Sequence, residues 1–189
     1  MLVRKVRAVT KVYRELDEEI KRFKKSIKTD CQKGCGECCL KHDIEATPLE
    51  FLPAAYVSFR TGKADDILER INSTPLNSIC VFYNPFHSGG KCSMYDYRGL
   101  ICRLFGFSAR SNKKNELHLI SCKIIKSGIH PDLLAGQIND APVSSAWYLK
   151  LYGIDPQLAT KHLPINEAIR KALELVMFLN QFKKPGKVS

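Results

Sequence analysis

The sequence predicts an α+β fold, a mostly helical single domain in which a small β-rich, irregular unit carries cysteines. Three observations support this prediction. Apolar residues recur at helical spacing near both ends of the chain, short runs of β-forming residues lie between these segments, and 189 residues suit one main core. Apolar residues make up 44% of the chain and charged residues 26%, as in ordinary globular proteins.

The first predicted element is one long amphipathic helix over residues 2–28. Its apolar residues alternate at intervals of four and three, which places them on one face: Leu2, Val6, Val9, Tyr13, Leu16, Ile20, Phe23 and Ile27. We expect this face to pack on the rest of the same chain and not on a second copy, because the repeat ends at Asp30.

Further helices are expected on both sides of the β-rich unit. Thr47-Pro48-Leu49-Glu50 has the form of a capping box and predicts a helix over 48–60 that Gly62 ends. The remaining elements follow from periodicity and β-propensity: helices over 64–72, 142–151, 156–162 and 165–181, and β-forming runs over 79–83, 91–94, 104–109 and 116–121. The expected organisation is an N-terminal helix (1–30), a cysteine-rich region (31–125) and C-terminal helices on the same domain (126–189).

Cysteine is the unusual residue of this sequence. Four of its eight cysteines lie within nine residues and four are dispersed: Cys31, Cys35, Cys38 and Cys39, then Cys80, Cys92, Cys102 and Cys122. Gly34 and Gly36 permit tight curvature of the first group, as a loop around a metal or cluster requires. All eight cysteines are therefore candidate metal ligands.

The N-terminus favours metal binding over disulfides as the role of these thiols. It offers no uninterrupted apolar segment of the kind found in secretory signals, and no run approaches the length of a transmembrane helix. We therefore expect a cytoplasmic protein, where clustered thiols more often bind metals than form disulfides.

The division of the thiols among sites is left open by the sequence. Eight thiolates allow two zinc sites, one iron–sulfur cluster plus a zinc, or one cluster with spare cysteines. The irregular spacing of the dispersed cysteines and the adjacent Cys38 and Cys39 favour an iron–sulfur cluster slightly over zinc. His42 and His87 are alternative ligands, and Arg98 and Arg103 are candidates to balance a cluster's charge by hydrogen bonding to sulfur.

The cysteine pattern also resembles a known family. Cys31-x3-Cys35-x2-Cys38-Cys39, Cys80-Val-Phe-Tyr, Gly90-Lys-Cys92-Ser-Met-Tyr-Asp-Tyr-Arg98 and Cys102-Arg103 are similar to the YkgJ-type cysteine-cluster family, described as a zinc- or iron-chelating domain. Met94 stands where that family often has isoleucine and Gly99 where it has proline, and neither difference removes a ligand. The resemblance covers about residues 31–122 and implies a bound metal or iron–sulfur cluster. Flagellin lysine methylases contain a similar region, which implies an enzymatic precedent by analogy.

Charge and motifs define the function hypotheses. Residues 1–29 hold ten Lys or Arg against four Asp or Glu within a net charge of +11. The N-terminal helix could therefore attract nucleic acid, an anionic membrane or an acidic protein partner, although a solvated helix face is the simpler interpretation. We consider a metal-binding protein with a redox, sensing or structural role, a metallocentre-dependent group-transfer enzyme of methyltransferase-like type, and a zinc-stabilised basic adaptor. Phosphate-binding loops, dinucleotide fingerprints and zinc-protease motifs are absent from the sequence.

Overall fold

The computed structural model describes residues 1–31, 35–75, 78–86 and 91–181, so Gly34 and His87 lie outside the described residues. Within these ranges the helices are α1 (Leu2–Ser26), α2 (Leu52–Arg60), α3 (Ala64–Asn72), α4 (Leu100–Leu104), α5 (Lys123–Ser127), α6 (Pro131–Gln137), α7 (Ser144–Tyr152), α8 (Pro156–Thr160) and α9 (Ile165–Gln181). The strands are β1 (Glu45–Ala46), β2 (Tyr83–Asn84), β3 (Lys91–Cys92), β4 (Ser108–Ser111), β5 (Leu117–Ile120) and β6 (Leu163–Pro164). The predicted fold class, mostly helical α+β, is confirmed.

The long N-terminal helix buries the apolar face that its periodicity predicts. Val9 and Leu16 are completely buried, and the whole seam from Leu2 to Ile27 belongs to the hydrophobic core. The helix ends at Ser26, two residues before the predicted end, and Lys28 has a left-handed backbone with φ 51°. Because α1 packs on α2, α4 and α7, its seam contacts the same chain, as expected.

A single hydrophobic core joins residues from the N-terminal, middle and C-terminal parts of the chain. The C-terminal helix α9 packs against α2 and α3, and its buried face contains Ala168, Ala172 and Val176. The predicted helices over 64–72 and 165–181 have the bounds of α3 and α9. The capping box also forms: the Thr47 amide donates to Glu50 Oε1 at 2.8 Å and opens a 3₁₀ turn that leads into α2.

The β-rich unit is less regular than its sequence predicts. Each of its strands is two to four residues long, and the strands form antiparallel pairs β1–β6, β2–β3 and β4–β5. The expectation of a β run over 104–109 is wrong at its start, because Leu104 ends helix α4 and the strand begins only at Ser108. The β1–β6 pair was not predicted; it joins the segment before the capping box to the start of α9, where the Ile165 amide donates to the Ile44 carbonyl at 2.9 Å.

No helix in the described part of the chain is both long and apolar enough to cross a membrane.

Candidate metal centre

All eight cysteines are free thiols, and they lie on the loop after α1, in the β2–β3 region, on helix α4 and at the N-cap of α5. The thiols that raise one another's pKa are linked through Cys38, and we name two sets of four around this link. We call Cys39, Cys80, Cys92 and Cys102 the inner thiols and Cys31, Cys35, Cys38 and Cys122 the outer thiols. Cys38 lies where the two groups meet, because its charge raises the pKa of Cys31 as well as those of Cys80, Cys92 and Cys102.

A hairpin brings Cys80 and Cys92 together. Strand β3 pairs with β2 in a register that sets Cys92 opposite Tyr83, and the Tyr83 amide donates to the Cys80 carbonyl at 2.9 Å. The Ser93 amide closes the same unit with a 2.7 Å hydrogen bond to the Phe82 carbonyl. Two cysteines that are twelve positions apart in sequence therefore share one small unit.

Two side chains from the helical framework fix the segment around Cys80. Asn166, buried at the start of α9, accepts from the Val81 amide at 2.8 Å and donates to the Ser78 hydroxyl and the Ile79 carbonyl at 3.0 Å. Arg70 on α3 donates to the Val81 carbonyl at 2.6 Å. Sequence patterns do not predict these contacts, because they join different elements of the fold.

Glu50 positions the helix that carries Cys102. One carboxylate oxygen completes the capping box at Thr47, and the other accepts the Ile101 amide at 2.8 Å in the first turn of α4. The carboxylate is completely buried, and burial raises the pKa of Glu50 to about 7 although these hydrogen bonds lower it. The capping-box sequence predicts the hydrogen bond of Glu50 to Thr47. Its hydrogen bond to Ile101 forms only in the tertiary fold.

The outer thiols are drawn together at the end of α1. The Cys31 amide donates to Asp30 Oδ1 at 2.7 Å, and Asp30 is also bound by Lys24. The Thr29 hydroxyl donates to the Gly128 carbonyl at 3.1 Å, which links this end to the segment after α5. Cys122 caps α5 by accepting the Ile125 amide at 3.4 Å. Burial and the neighbouring Cys35, Cys38 and Cys122 raise the pKa of the Cys31 thiol.

Cys38 and Cys39 share a hydrogen bond within the 3₁₀ turn Glu37–Leu40. This hydrogen bond lowers the pKa of Cys38 to about 6, and nearby Arg98 acts in the same direction. The same bond, together with burial and the charges around it, raises the pKa of Cys39. One thiol of the adjacent pair is therefore easily deprotonated while the other keeps its proton.

The remaining inner thiols resist deprotonation in the absence of a cation. Burial, and then the charge of neighbouring thiols, raises the pKa of Cys80 to about 12 and that of Cys102 well above its ordinary value. Burial also raises the pKa of Cys92, against the lowering effect of Arg98. A bound metal would supply the positive charge that stabilises these thiolates.

The two arginines near Cys102 have different surroundings. Arg103 is buried with its donors engaged elsewhere: it bonds Asp17 on α1, the Asp96 carbonyl at 2.6 Å and the Arg98 carbonyl at 3.1 Å, and it stacks on Tyr13. Arg98 lies close enough to lower the pKa of Cys38 and Cys92, and its buried Nε has no hydrogen-bond partner within the described residues. Arg98, whose guanidinium stacks on the Tyr95 ring at 4.2 Å, is therefore a better candidate than Arg103 to interact with the thiols.

These features fit a thiophilic metal or cluster. The donor set consists of eight free thiols, and the unpaired Nε of Arg98 is a buried donor suited to a metal-bound sulfur. Within the described ranges no three Cys, His, Asp or Glu side chains already converge as a metal site, so binding requires the thiols to close together. His42 is exposed, and His87 lies outside the described residues.

An open groove of about 470 Å³ lies beside this cluster, between α1 and the turn at residues 95–98. Charged side chains dominate its lining, in which Lys21, Lys24, Arg98 and Arg103 face Asp17, Asp30 and Asp96. Because Arg98 both lines the groove and acts on the thiols, the groove and the cysteine cluster are neighbours.

Fold and site together define a mostly helical α+β protein with a cysteine cluster suited to soft metals. A sequence profile of the CxxCxxCC family, described as "Putative zinc- or iron-chelating domain", matches residues 30–123, about half of the chain. The chain belongs to this family. Three residues separate Cys31 from Cys35, whereas the CxxCxxCC pattern has two at this place. Searches of curated proteins and of solved structures found no match.

Proposed function

We propose that this protein uses its inner thiols to hold an iron–sulfur cluster that serves in redox chemistry or sensing, with a second metal centre at the outer thiols. The observation that carries the proposal is that four separate segments bring eight free cysteines into one region of the fold, with every inner thiol under the electrostatic influence of at least one other cysteine. Membership of a zinc- or iron-chelating family supports the same class of function.

The chemistry of the inner site favours a cluster over a single zinc ion. Four thiolates with a divalent metal, or with a four-iron cluster, leave a negative charge that the Arg98 guanidinium can offset. A cluster also has sulfide atoms that accept hydrogen bonds, and such bonds tune its reduction potential. The buried Nε of Arg98 supplies a donor of this kind beside Cys38 and Cys92. When bound, the cluster would supply one-electron chemistry.

Anaerobic purification followed by metal and sulfide analysis tests this proposal. We expect iron and acid-labile sulfide in comparable amounts and broad visible absorption that bleaches on reduction. A colourless protein that contains zinc and no iron would contradict the cluster and support the zinc-stabilised alternative. A protein that contains neither metal under these conditions would contradict the metal-binding function itself.

Matched double variants test the division of the thiols. We expect Cys80→Ser/Cys102→Ser to lose the iron and the visible absorption, because both substitutions remove inner ligands. Cys31→Ser/Cys122→Ser should keep the absorption and lose only the second metal. Equal loss of absorption in both variants would show one shared centre in place of two.

The groove beside the cluster supports a second candidate function, a group-transfer enzyme. Its charged lining at Lys21 and Arg98 could orient a polar substrate next to the metal centre. Such an enzyme needs an open coordination position, whereas a metal with four cysteine ligands has none. Spectroscopic evidence that an added small ligand binds the metal directly would favour the enzyme, and a saturated four-sulfur environment would count against it.

A further inference from the structure

The exposed face of α1 carries a line of basic side chains directly opposite its buried seam. We define this basic stripe as the six residues Arg4, Arg7, Lys11, Arg14, Lys21 and Lys25, all of which are exposed. They follow the same alternation of three- and four-residue steps as the seam. Glu18 occupies the position between Arg14 and Lys21 where this alternation would place another basic residue. Each lies two positions from a buried seam residue, which is about 200° around the helix.

The fold does not use the charges of this stripe. Lysines at the edges of α1 do hold the helix in place: Lys5 pairs with Asp155 at 2.5 Å and Lys24 pairs with Asp30 at 2.6 Å. The six stripe residues, in contrast, form no ion pair or side-chain hydrogen bond within the ranges that the structure describes. Six unpaired cations on one rigid line repel one another, and a polyanion would relieve that repulsion.

We infer that the basic stripe is a docking surface for the phosphate backbone of double-stranded nucleic acid. From Arg4 to Lys25 the stripe extends about 32 Å at 1.5 Å per residue, close to the roughly 34–36 Å of one turn of duplex DNA. Half of its residues are arginines, whose guanidinium forks suit phosphate oxygens. The contacts would be to the backbone and would not read sequence.

The composition of the stripe argues against two other polyanions, a membrane surface and single-stranded nucleic acid. A helix that lies in a membrane surface inserts an apolar face, but the apolar face of α1 is buried in the core. Single-stranded nucleic acid is held by stacking on aromatic residues, and the stripe contains none. A duplex, which presents regularly spaced phosphates and needs neither insertion nor stacking, is the best complement to this surface.

Fluorescence anisotropy with the full metal-loaded chain and duplexes of about 20 base pairs, or two turns, tests the inference. DNA and RNA duplexes of unrelated sequence should bind alike, and binding should weaken steeply between about 50 and 200 mM salt. In Arg7→Gln/Lys11→Gln/Arg14→Gln, the slope of log affinity against log salt should fall by about 3, since each lost phosphate contact contributes about 0.9. Affinity near 100 mM salt should fall at least about tenfold.

A matched control removes the same charge from other elements. Lys63, Lys113 and Lys114 are exposed outside α1, and changing all three to Gln should alter affinity by less than about twofold. Equal weakening in both triple variants would overturn the inference, because net charge alone would then explain binding. Stronger stripe-dependent binding to phosphatidylserine-rich vesicles than to duplexes at the same salt would also overturn it, in favour of a membrane. The charge-preserving Arg7→Lys/Arg14→Lys variant should keep the salt slope of wild type, because the number of neutralised phosphates is unchanged; loss of that slope, with the helical circular dichroism intact, would contradict a backbone-only mode.

Discussion

The helical framework and the cysteine region of this protein are built in different ways. The framework of α1, α2 and α9 consists of helices of 25, 9 and 17 residues that bury apolar faces in a common core. The cysteine region, by which we mean the cysteine-bearing segments outside α2 and α3, consists of strands and helices of two to five residues, held by hydrogen bonds from side chains such as Asn166 and Glu50. Hydrophobic burial suffices for the first region, whereas the second lacks enough regular structure and core to hold its shape alone.

The largest difference between the two regions should appear when the metal is removed. Structural metal sites contribute on the order of 10 kcal/mol to the domains that depend on them. We expect a chelator to abolish the protection of the amides of residues 78–86 and 91–98 from hydrogen exchange, while the amides of α1 and α9 change less than about tenfold. Global unfolding on chelation, measured by circular dichroism, would contradict an independent framework.

Truncation of a framework residue should have the opposite effect. Leu16 on α1 is completely buried, so Leu16→Ala should lower the free energy of unfolding by about 2–5 kcal/mol through lost burial and a cavity. The metal bound per folded chain should not change. Urea unfolding followed by circular dichroism measures the first effect, and Glu18→Ala, at an exposed position of the same helix, should change stability by less than about 0.5 kcal/mol.

Glu50 connects the two regions and should make stability depend on pH. Its pKa is about 7 in the folded protein against 4.5 ordinarily, so the folded state binds the proton more tightly than the unfolded chain. The contribution of Glu50 is therefore most favourable below pH 4.5, and about 3 kcal/mol should be lost as the pH rises to about 7. Chemical unfolding of the metal-free protein across this range measures the loss.

The Glu50→Gln variant is the control for this pH dependence. Glutamine cannot ionise, so its stability should vary less between pH 4.5 and 7 than that of wild type, although the variant is less stable because one oxygen acceptor is lost. The same slope in both proteins would assign the pH dependence to other groups.

The smallest expected effect concerns Arg98. Loss of its hydrogen bond to a metal-bound sulfur in Arg98→Gln should weaken metal affinity roughly tenfold, in line with hydrogen bonds to charged groups. Competition against a chelator of known affinity measures this change. Arg110→Gln removes the same charge from an exposed position of strand β4 and should leave metal affinity unaltered.

The same contrast explains which features could be predicted from sequence. The seam of α1, the Thr47–Glu50 capping box and the bounds of α3 and α9 depend on local spacing, and all of them are confirmed. The cysteines were identified as a set from their density, but their grouping was not, because it depends on contacts such as that between Asn166 and the Cys80 segment. Helix α4 was missed because the Glu50 carboxylate that caps it lies fifty positions away.

Thiol alkylation followed residue by residue is the most direct test of metal binding at the cysteines. In protein purified without oxygen, we expect the inner thiols Cys39, Cys80, Cys92 and Cys102 to react slowly with a small alkylating reagent, and all four to become faster together when a chelator withdraws the metal. Cys39, Cys92 and Cys102 are the informative thiols, because they are only half-buried and the fold alone does not shield them. Equal alkylation rates at these four thiols before and after chelation would contradict the proposal that they hold the metal.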